Sequence, residues 1–170
     1  APRLVLLAER PGGDAALPVL SFVVRAPGRR LLLHHNYVCA VLNDVFGVQS
    51  RGGCVCAGPY AQLLLGLDDA DNARIQEALL HRDGNGIVRP GFTRVSLAYT
   101  MDPAERRYVL DALVWTAAHA WKLLPWYRCD HRSGEFRHRR RQPGPGGICG
   151  PDRRWLGDFL RYDGRTPPPR

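Results

Sequence analysis

Residues 102–125 constrain the fold more than any other segment, because they carry the signals of a long helix at both ends. Asp102, Pro103 and Glu105 suit the N-cap and the first and third helical positions, where carboxylates accept backbone N–H groups and proline loses no hydrogen bond. Apolar side chains then follow at helical spacing until Pro125, namely Val109, Leu110, Leu113, Val114, Ala117 and Trp121. Such a helix must bury its apolar stripe against a second layer of secondary structure.

Three short segments have the apolar pattern of β-strands, and they are residues 3–8, 18–25 and 92–99. In the third segment, alternation defines an apolar face formed by Val95, Leu97 and Tyr99. Arg94 and Ser96 alternate with those residues. The sequence therefore predicts that Arg94 points away from the core.

Helical spacing also occurs over residues 36–47, 58–66 and 70–81, and Asn36 is the expected N-cap of the first of these helices. Residues 48–56 lie between two of them and are expected to be extended. Strands and helices thus follow one another along the chain. This order predicts an α+β fold, in which a small, mostly antiparallel sheet is covered on one face by helices.

The charge of the chain is concentrated at its end. The 170 residues are 45% hydrophobic and 24% charged, as expected for a single globular domain. The net charge is +8, and residues 128–170 supply most of it, with 11 arginines against 5 acidic residues. We therefore expect a folded domain over residues 1–127 and a basic, partly disordered tail rich in Pro, Gly and Arg over residues 128–170.

Hydropathy and cysteine usage indicate a soluble protein in a reducing compartment. No run approaches the roughly 18 apolar residues that a membrane span requires, and no signal-peptide pattern follows the first residues. The 5 cysteines are odd in number and scattered along the chain, which does not suggest a disulfide framework. The expectation is a cytoplasmic protein without membrane contact.

Residues 51–59 read RGGCVCAGP and form the densest cluster of unusual residues. Cys56 stands just before a predicted helix N-terminus, with Arg51 nearby in sequence, and both features favour a thiolate. A reactive thiol is therefore one interpretation. The alternative is that Cys54 and Cys56 are small buried residues, as free cysteines often are.

Two other groups of residues do not predict a binding site. His34, His35, Cys54 and Cys56 lack the paired second half of a structural zinc module, so no metal site is predicted. The two histidines are expected to cap the helix that follows them or to line a cleft. The basic run over residues 137–141 has no interleaved aromatic residues, which favours a solvated tail over a nucleic-acid site.

A resemblance to a known family covers about residues 3–138 in order. It is carried by LHHNYVCAVLNDVFGVQSRGGCVCAGPYAQLLL over residues 33–65, by TRVSLA over residues 93–98, and by the helix from Asp102. Together these segments resemble the C-terminal small domain of class V aminotransferases. These are fold type I enzymes that use pyridoxal phosphate, in a superfamily that includes cysteine desulfurases and selenocysteine lyases.

The resemblance implies roles for three residues. Arg94 matches the arginine that binds the substrate carboxylate, a role suited to a planar guanidinium. Cys56 matches the persulfide-forming cysteine of desulfurases, whose thiolate attacks the sulfur of a substrate cysteine. Arg51 matches the leading arginine of the motif, with a structural or substrate-orienting role. Cys-Val before Cys56 and Ala-Gly-Pro from Ala57 depart from the desulfurase pattern, so transamination, desulfuration and elimination all stay open.

Lys122 is the single lysine of the chain and stands near the end of the predicted long helix. Enzymes of this fold type bind pyridoxal phosphate covalently through a lysine of their large domain. The resemblance therefore implies a piece of a larger, homodimeric enzyme acting on an amino acid, inactive without its large domain. The alternative is a non-catalytic remnant whose basic tail binds an acidic partner.

Overall fold

Strands and helices alternate along the chain. The structure, a computed structural model, describes residues 3–7, 17–28, 31–53, 58–80 and 85–139. Within these ranges the strands are β1 (Leu4–Leu6), β2 (Val19–Arg25), β3 (Leu32–Leu33), β4 (Arg51–Gly53), β5 (Phe92–Ser96), β6 (Tyr127–Asp130) and β7 (Glu135–His138). The helices are α1 (His35–Phe46), α2 (Gly58–Leu65), α3 (Asp69–Leu80) and α4 (Pro103–His119), and Gly86–Val88 and Ala120–Trp126 form 3₁₀ segments.

Five of these strands form one antiparallel sheet in the order β1-β2-β5-β4, with β3 paired to the end of β2. Strands β6 and β7 pair separately as a two-stranded hairpin. The prediction of an α+β fold with a small antiparallel sheet is confirmed.

The two central strands define the core face of the sheet. Leu20 of β2 lies opposite Val95 of β5, and Phe22 lies opposite Thr93. All four side chains are buried. Residues directly opposite each other share a face, and successive residues alternate between faces. Arg94 therefore lies on the other face, as the alternation predicted.

Helix α1 supplies the second layer of the core. Its buried side chains recur at helical spacing, and they are Tyr37, Val38, Val41 and Leu42. They belong to the same apolar cluster as the core face of β2 and β5. Full burial of one such side chain is worth about 1.5–3 kcal/mol, so this layer is a main source of stability.

Helix α4 begins as predicted. The side chain of Asp102 accepts from Glu105 N at 2.7 Å, and Asp102 N donates to Glu105 Oε2 at 3.1 Å, which is a complete capping box.

Among the residues that the structure describes, no helix is long and apolar enough to cross a membrane.

The buried face of α4 is narrower than the sequence predicted. It runs along small and medium side chains, namely Val109, Ala112, Leu113, Thr116 and Ala117. Leu110, Val114 and Trp121, which were expected on this face, are 41%, 66% and 36% exposed. Apolar residues occupy more of the helix surface than the face that is buried. Their spacing alone therefore did not distinguish the buried face from the exposed one.

Strand β5 is shorter than predicted, because it ends at Ser96. Leu97 N still donates to Pro18 O at 2.8 Å, and the chain then turns towards the N-cap of α4. Tyr99 lies in this turn and is 95% exposed. The prediction that Tyr99 shares the core face was therefore wrong.

The N-cap of α1 is His34 rather than Asn36. The ring Nδ1 of His34 accepts from Asn36 N at 3.2 Å, in the role usually taken by a short oxygen-bearing side chain. The Asn36 side chain instead donates to Gly134 O at 2.9 Å. One of the two predicted roles for the histidine pair, capping the helix, is thus confirmed for His34.

The hairpin of β6 and β7 lies in the segment that the sequence assigned to the tail. Asp130 accepts from Gly134 N at 2.8 Å through its carbonyl and from Arg132 N at 2.9 Å through its side chain. Gly134 has a φ of 70°, a left-handed conformation that favours glycine. The compact unit that contains the sheet extends to Arg137. Residues 140–170 of the predicted tail lie outside the described residues.

Candidate functional site

The register of β4 on β5 brings Arg51 and Arg94 together as direct partners across the two strands. Side chains in this position share a face, with Cβ atoms about 4.5–5.5 Å apart. Ser21 of β2 is the partner of Arg94 on its other side. Ser21, Arg94 and Arg51 therefore form one row across three strands, which we call the arginine row. The sequence analysis selected both arginines but did not predict that they are neighbours.

The arginine row lies on the outer face of the sheet, away from α1. This face is only partly open to water, because Phe92, which precedes the row by two positions on β5, is buried. Arg94 itself is half-buried, whereas Arg51 is exposed. Arg94, between two strands, is therefore the less exposed residue of the two, and Arg51 stands at the edge of the sheet.

The arginine row carries two permanent positive charges, since guanidinium groups do not deprotonate in proteins. Like charges on directly opposed residues are unfavourable in a sheet. Among the described residues, neither guanidinium forms a hydrogen bond or an ion pair with a carboxylate or a carbonyl. The ion pairs seen in that part of the chain join other residues, for example Arg107 with Asp111 and Arg137 with Glu135. The row is therefore suited to an anion from outside these residues.

Gly52 fixes the position of Arg51 by allowing β4 to lie directly on the start of α1. A Cβ at Gly52 would stand 2.7 Å from Asn36 Oδ1, 3.0 Å from His35 Cδ2 and 3.1 Å from Cys39 Sγ. At Gly91 a Cβ would stand 2.8 Å from His35 Cε1. Only glycine fits at these close approaches, so the backbone beneath the row is tightly packed.

His35 forms the buried layer under Gly52. Its ring stacks on His34 at a centroid distance of 4.1 Å. Burial, assisted by the neighbouring His34, lowers the pKa of His35 to about 4. Burial also lowers the pKa of His34, whose Nε2 lies 3.1 Å from Ile87 O. Both rings are therefore neutral near pH 7 and support the arginine row rather than carry charge.

The predicted reactive thiol cannot be placed, because Cys54 and Cys56 lie outside the described residues. Helix α2 does begin at Gly58, as the motif predicted. Cys39 is described, and burial raises the pKa of its thiol, which disfavours a thiolate there. In the described ranges no cluster of at least 3 His, Cys, Asp or Glu side chains could hold a metal ion.

Two cavities lie close to these elements. One of about 210 Å³ is lined by both histidines of the stacked pair, by Arg89 and by Phe92. The other, of about 590 Å³, lies between the end of α1, the end of β5 and the start of α4. Its lining is largely apolar, and the carboxylate of Glu105 in that lining belongs to the capping box. The arginine row therefore offers an anionic ligand more favourable charges than the larger cavity does.

Comparisons of this chain with protein-family models, with curated proteins and with solved structures give no match. The candidate site accordingly rests on the residue pattern of the chain and on the geometry of the described residues. Within that geometry, the feature suited to a ligand of defined chemistry, an anion, is the pair formed by Arg51 and Arg94.

Proposed function

We propose that this chain is the C-terminal small domain of a pyridoxal-phosphate-dependent enzyme similar to class V aminotransferases, and that Arg94 binds the carboxylate of an amino-acid substrate. The observation that carries the proposal is the position of Arg94 on the outer face of the sheet, half-buried and without an anionic partner among the described residues. A guanidinium in this setting can meet both oxygens of a carboxylate with paired hydrogen bonds.

The other residues of the row support this task. The Ser21 hydroxyl stands beside Arg94 and can donate a further hydrogen bond to the same carboxylate. Arg51 stands on the opposite side and attracts the anion towards the row. Cys56 belongs to the proposal as the candidate nucleophile if the reaction is desulfuration, and it has no chemical task if the reaction is transamination.

The described residues do not themselves form a pyridoxal-phosphate site. Lys122, the single lysine, lies exposed on the 3₁₀ segment after α4, with its ammonium 5.7 Å from the centroid of the Trp121 ring. That contact holds the amine against an aromatic face on the helix surface. In this proposal the cofactor is held by a large domain outside this chain, and no step of the reaction is assigned to Lys122.

A small domain of this kind requires two partners. They are the large domain, which supplies the cofactor and its lysine, and a second protomer of a homodimeric cytoplasmic enzyme. The exposed apolar side chains of α4, such as Val114, are surfaces that such a partner could cover.

The coding sequence on either side of the chain tests the proposal directly. An in-frame large domain that contains a His-Lys or Ser-Lys pair is the expected finding. The purified full-length protein should then show an absorption band of a lysine-bound cofactor that survives dialysis and is lost when that lysine is replaced by alanine. A start codon immediately before this chain would contradict the proposal and favour the alternative of a non-catalytic remnant.

A further inference from the structure

The second arginine of the row carries a positive charge that has no anionic group of its own to bind among the described residues. If Arg94 binds the α-carboxylate, as in the proposed function on which this inference rests, that carboxylate neutralises one of the two positive charges of the row. Arg51 stands directly across from Arg94 on β4. Its charge is permanent, and it cannot be relieved by losing a proton.

The backbone of β4 offers Arg51 little freedom to move away. Gly52, its neighbour, packs against Asn36, His35 and Cys39 with no room for a Cβ. Strand β4 is also hydrogen-bonded to β5 over its three residues, Arg51, Gly52 and Gly53. This packing fixes the starting point of the Arg51 side chain opposite Arg94, so the fold holds the two arginines as neighbouring residues on one face of the sheet.

We infer that the arginine row selects a substrate with two acid groups, and that Arg51 binds the second one. The substrate class is an acidic amino acid, such as aspartate or glutamate, whose side-chain carboxylate lies a few bonds from its α-carboxylate. Two carboxylates on one short chain can meet two neighbouring guanidinium groups at once. An amino acid with a neutral side chain leaves Arg51 unneutralised and loses that contact.

Inorganic phosphate is the other common ligand with two negative charges. It concentrates them on one atom and its oxygens, whereas the arginine row spreads its donors across three strands from Ser21 to Arg51. A diacid matches that spread better than a compact phosphate does. The two ligands are readily distinguished by direct binding.

The test is an isothermal titration of the 170-residue chain at low ionic strength with succinate, propionate and inorganic phosphate as probes. Succinate is expected to bind at least about tenfold more tightly than propionate, as one additional charge-assisted contact provides. Arg51→Gln should abolish the preference for succinate over propionate, while both probes lose the general attraction of its positive charge. Arg94→Gln should weaken both.

Arg25→Gln is the matched control. Arg25 is an exposed arginine of β2 on the same face of the sheet, and its partner is Leu32 rather than another arginine. Its replacement removes one positive charge from that face and should leave the preference for succinate intact. Thermal melting of all three variants checks that each one is folded.

The possible outcomes distinguish a failure of this inference from a failure of the proposed function. If Arg51→Gln leaves the preference for succinate unchanged while Arg94→Gln weakens both probes, the inference about a second acid group is overturned and the role of Arg94 stands. If Arg94→Gln leaves propionate binding unchanged, the proposed function itself fails. Phosphate binding that exceeds succinate binding and depends on Arg51 would overturn the diacid and assign a phosphate ligand to the row.

Discussion

The hydroxyl of Tyr37 donates a hydrogen bond of 2.6 Å to the carbonyl oxygen of Ala120, and both residues are fully buried. This bond joins the first turn of α1 to the end of α4, which are far apart in the sequence. Ala120 begins the 3₁₀ segment, where the carbonyls at a helix end need partners from elsewhere. The Tyr37 hydroxyl provides such a partner without water.

Replacing Tyr37 by phenylalanine tests that bond. The change keeps the ring contacts and removes a buried hydrogen bond to the carbonyl of Ala120, so the free energy of unfolding should fall by about 0.5–1.5 kcal/mol. Tyr108→Phe is the control, because Tyr108 makes a similar bond of 2.9 Å to Phe46 O but is 53% exposed. Urea denaturation of both variants gives the comparison, and equal losses would contradict the special role of the buried bond.

Gly52→Ala should loosen β4. The added Cβ would meet Asn36 Oδ1 at 2.7 Å, and overpacking of this kind costs about 1–3 kcal/mol. The amides of Arg51 and Gly53 should then exchange with solvent faster than in the unmodified protein. Gly28→Ala serves as the control, since Gly28 has a φ of 68° but open space around it. Its replacement strains a distant turn and should leave exchange in β4 unchanged.

Acidification should destabilise the protein through the stacked histidines. The pKa of His35 is about 4 in the folded protein against an ordinary value of 6.5, so the unfolded state binds more protons between these values. The stability contributed by neutral His35 is therefore complete above pH 6.5 and is lost as the pH falls towards 4. Protonation of His34 acts in the same direction, because its Nδ1 would no longer accept from Asn36 N.

Urea denaturation across that pH range, combined with NMR titration of the His35 ring, measures this dependence. His35→Gln should flatten the pH profile, although it also lowers stability at neutral pH by removing the stacked ring. A His35 ring that titrates at its ordinary value in the folded protein would contradict the burial that the structure gives it.

In the full-length enzyme that the proposed function requires, Arg94→Ala should lower kcat/KM by the equivalent of about 2–5 kcal/mol, because one partner of a desolvated ion pair would be lost. Arg94→Lys should also fail, since an ammonium keeps the charge but not the planar arrangement of donors. The melting temperature should change little, as Arg94 lies on the face opposite the core. Near-normal kinetics in both variants would show that Arg94 is an ordinary surface residue.

Alkylation should distinguish Cys56 from the other thiols. Burial raises the pKa of Cys39 and of Cys129, so both should react slowly. Cys56 precedes the N-terminus of α2, where a thiolate is favoured. Brief treatment with iodoacetamide, followed by peptide mapping, should find Cys56 labelled first, with Cys56→Ser as the control. Earlier labelling of Cys54 or of Cys39 would remove the physical argument for a nucleophile at Cys56.

The parts of the fold that depend on local signals could be predicted from the sequence. The capping box at Asp102 and Glu105 is made by residues three apart, and the start of α2 at Gly58 is marked by the proline that follows. Alternation within one strand likewise sufficed to turn Arg94 away from Val95. Each of these features is determined by neighbours along the chain.

The candidate site depends on contacts between distant segments, and those could not be predicted. No pattern in β4 or β5 alone sets the register that makes Arg51 and Arg94 partners. The role of His34 as an N-cap similarly reflects the diversion of the Asn36 side chain to Gly134, a residue of the hairpin turn. Spacing also could not show that Val114 would be left without a partner among the described residues.

The hairpin of β6 and β7 determines how much of the chain the domain needs. Phe136 lies within 5.4 Å of the Tyr37 ring and 5.2 Å of the His34 ring, measured between centroids, and the hairpin turn accepts the side chain of Asn36. A shortened protein that ended at residue 127 would uncover these aromatic rings and the first turn of α1 together. The smallest version of this domain that retains the support beneath Gly52 therefore extends through Arg137.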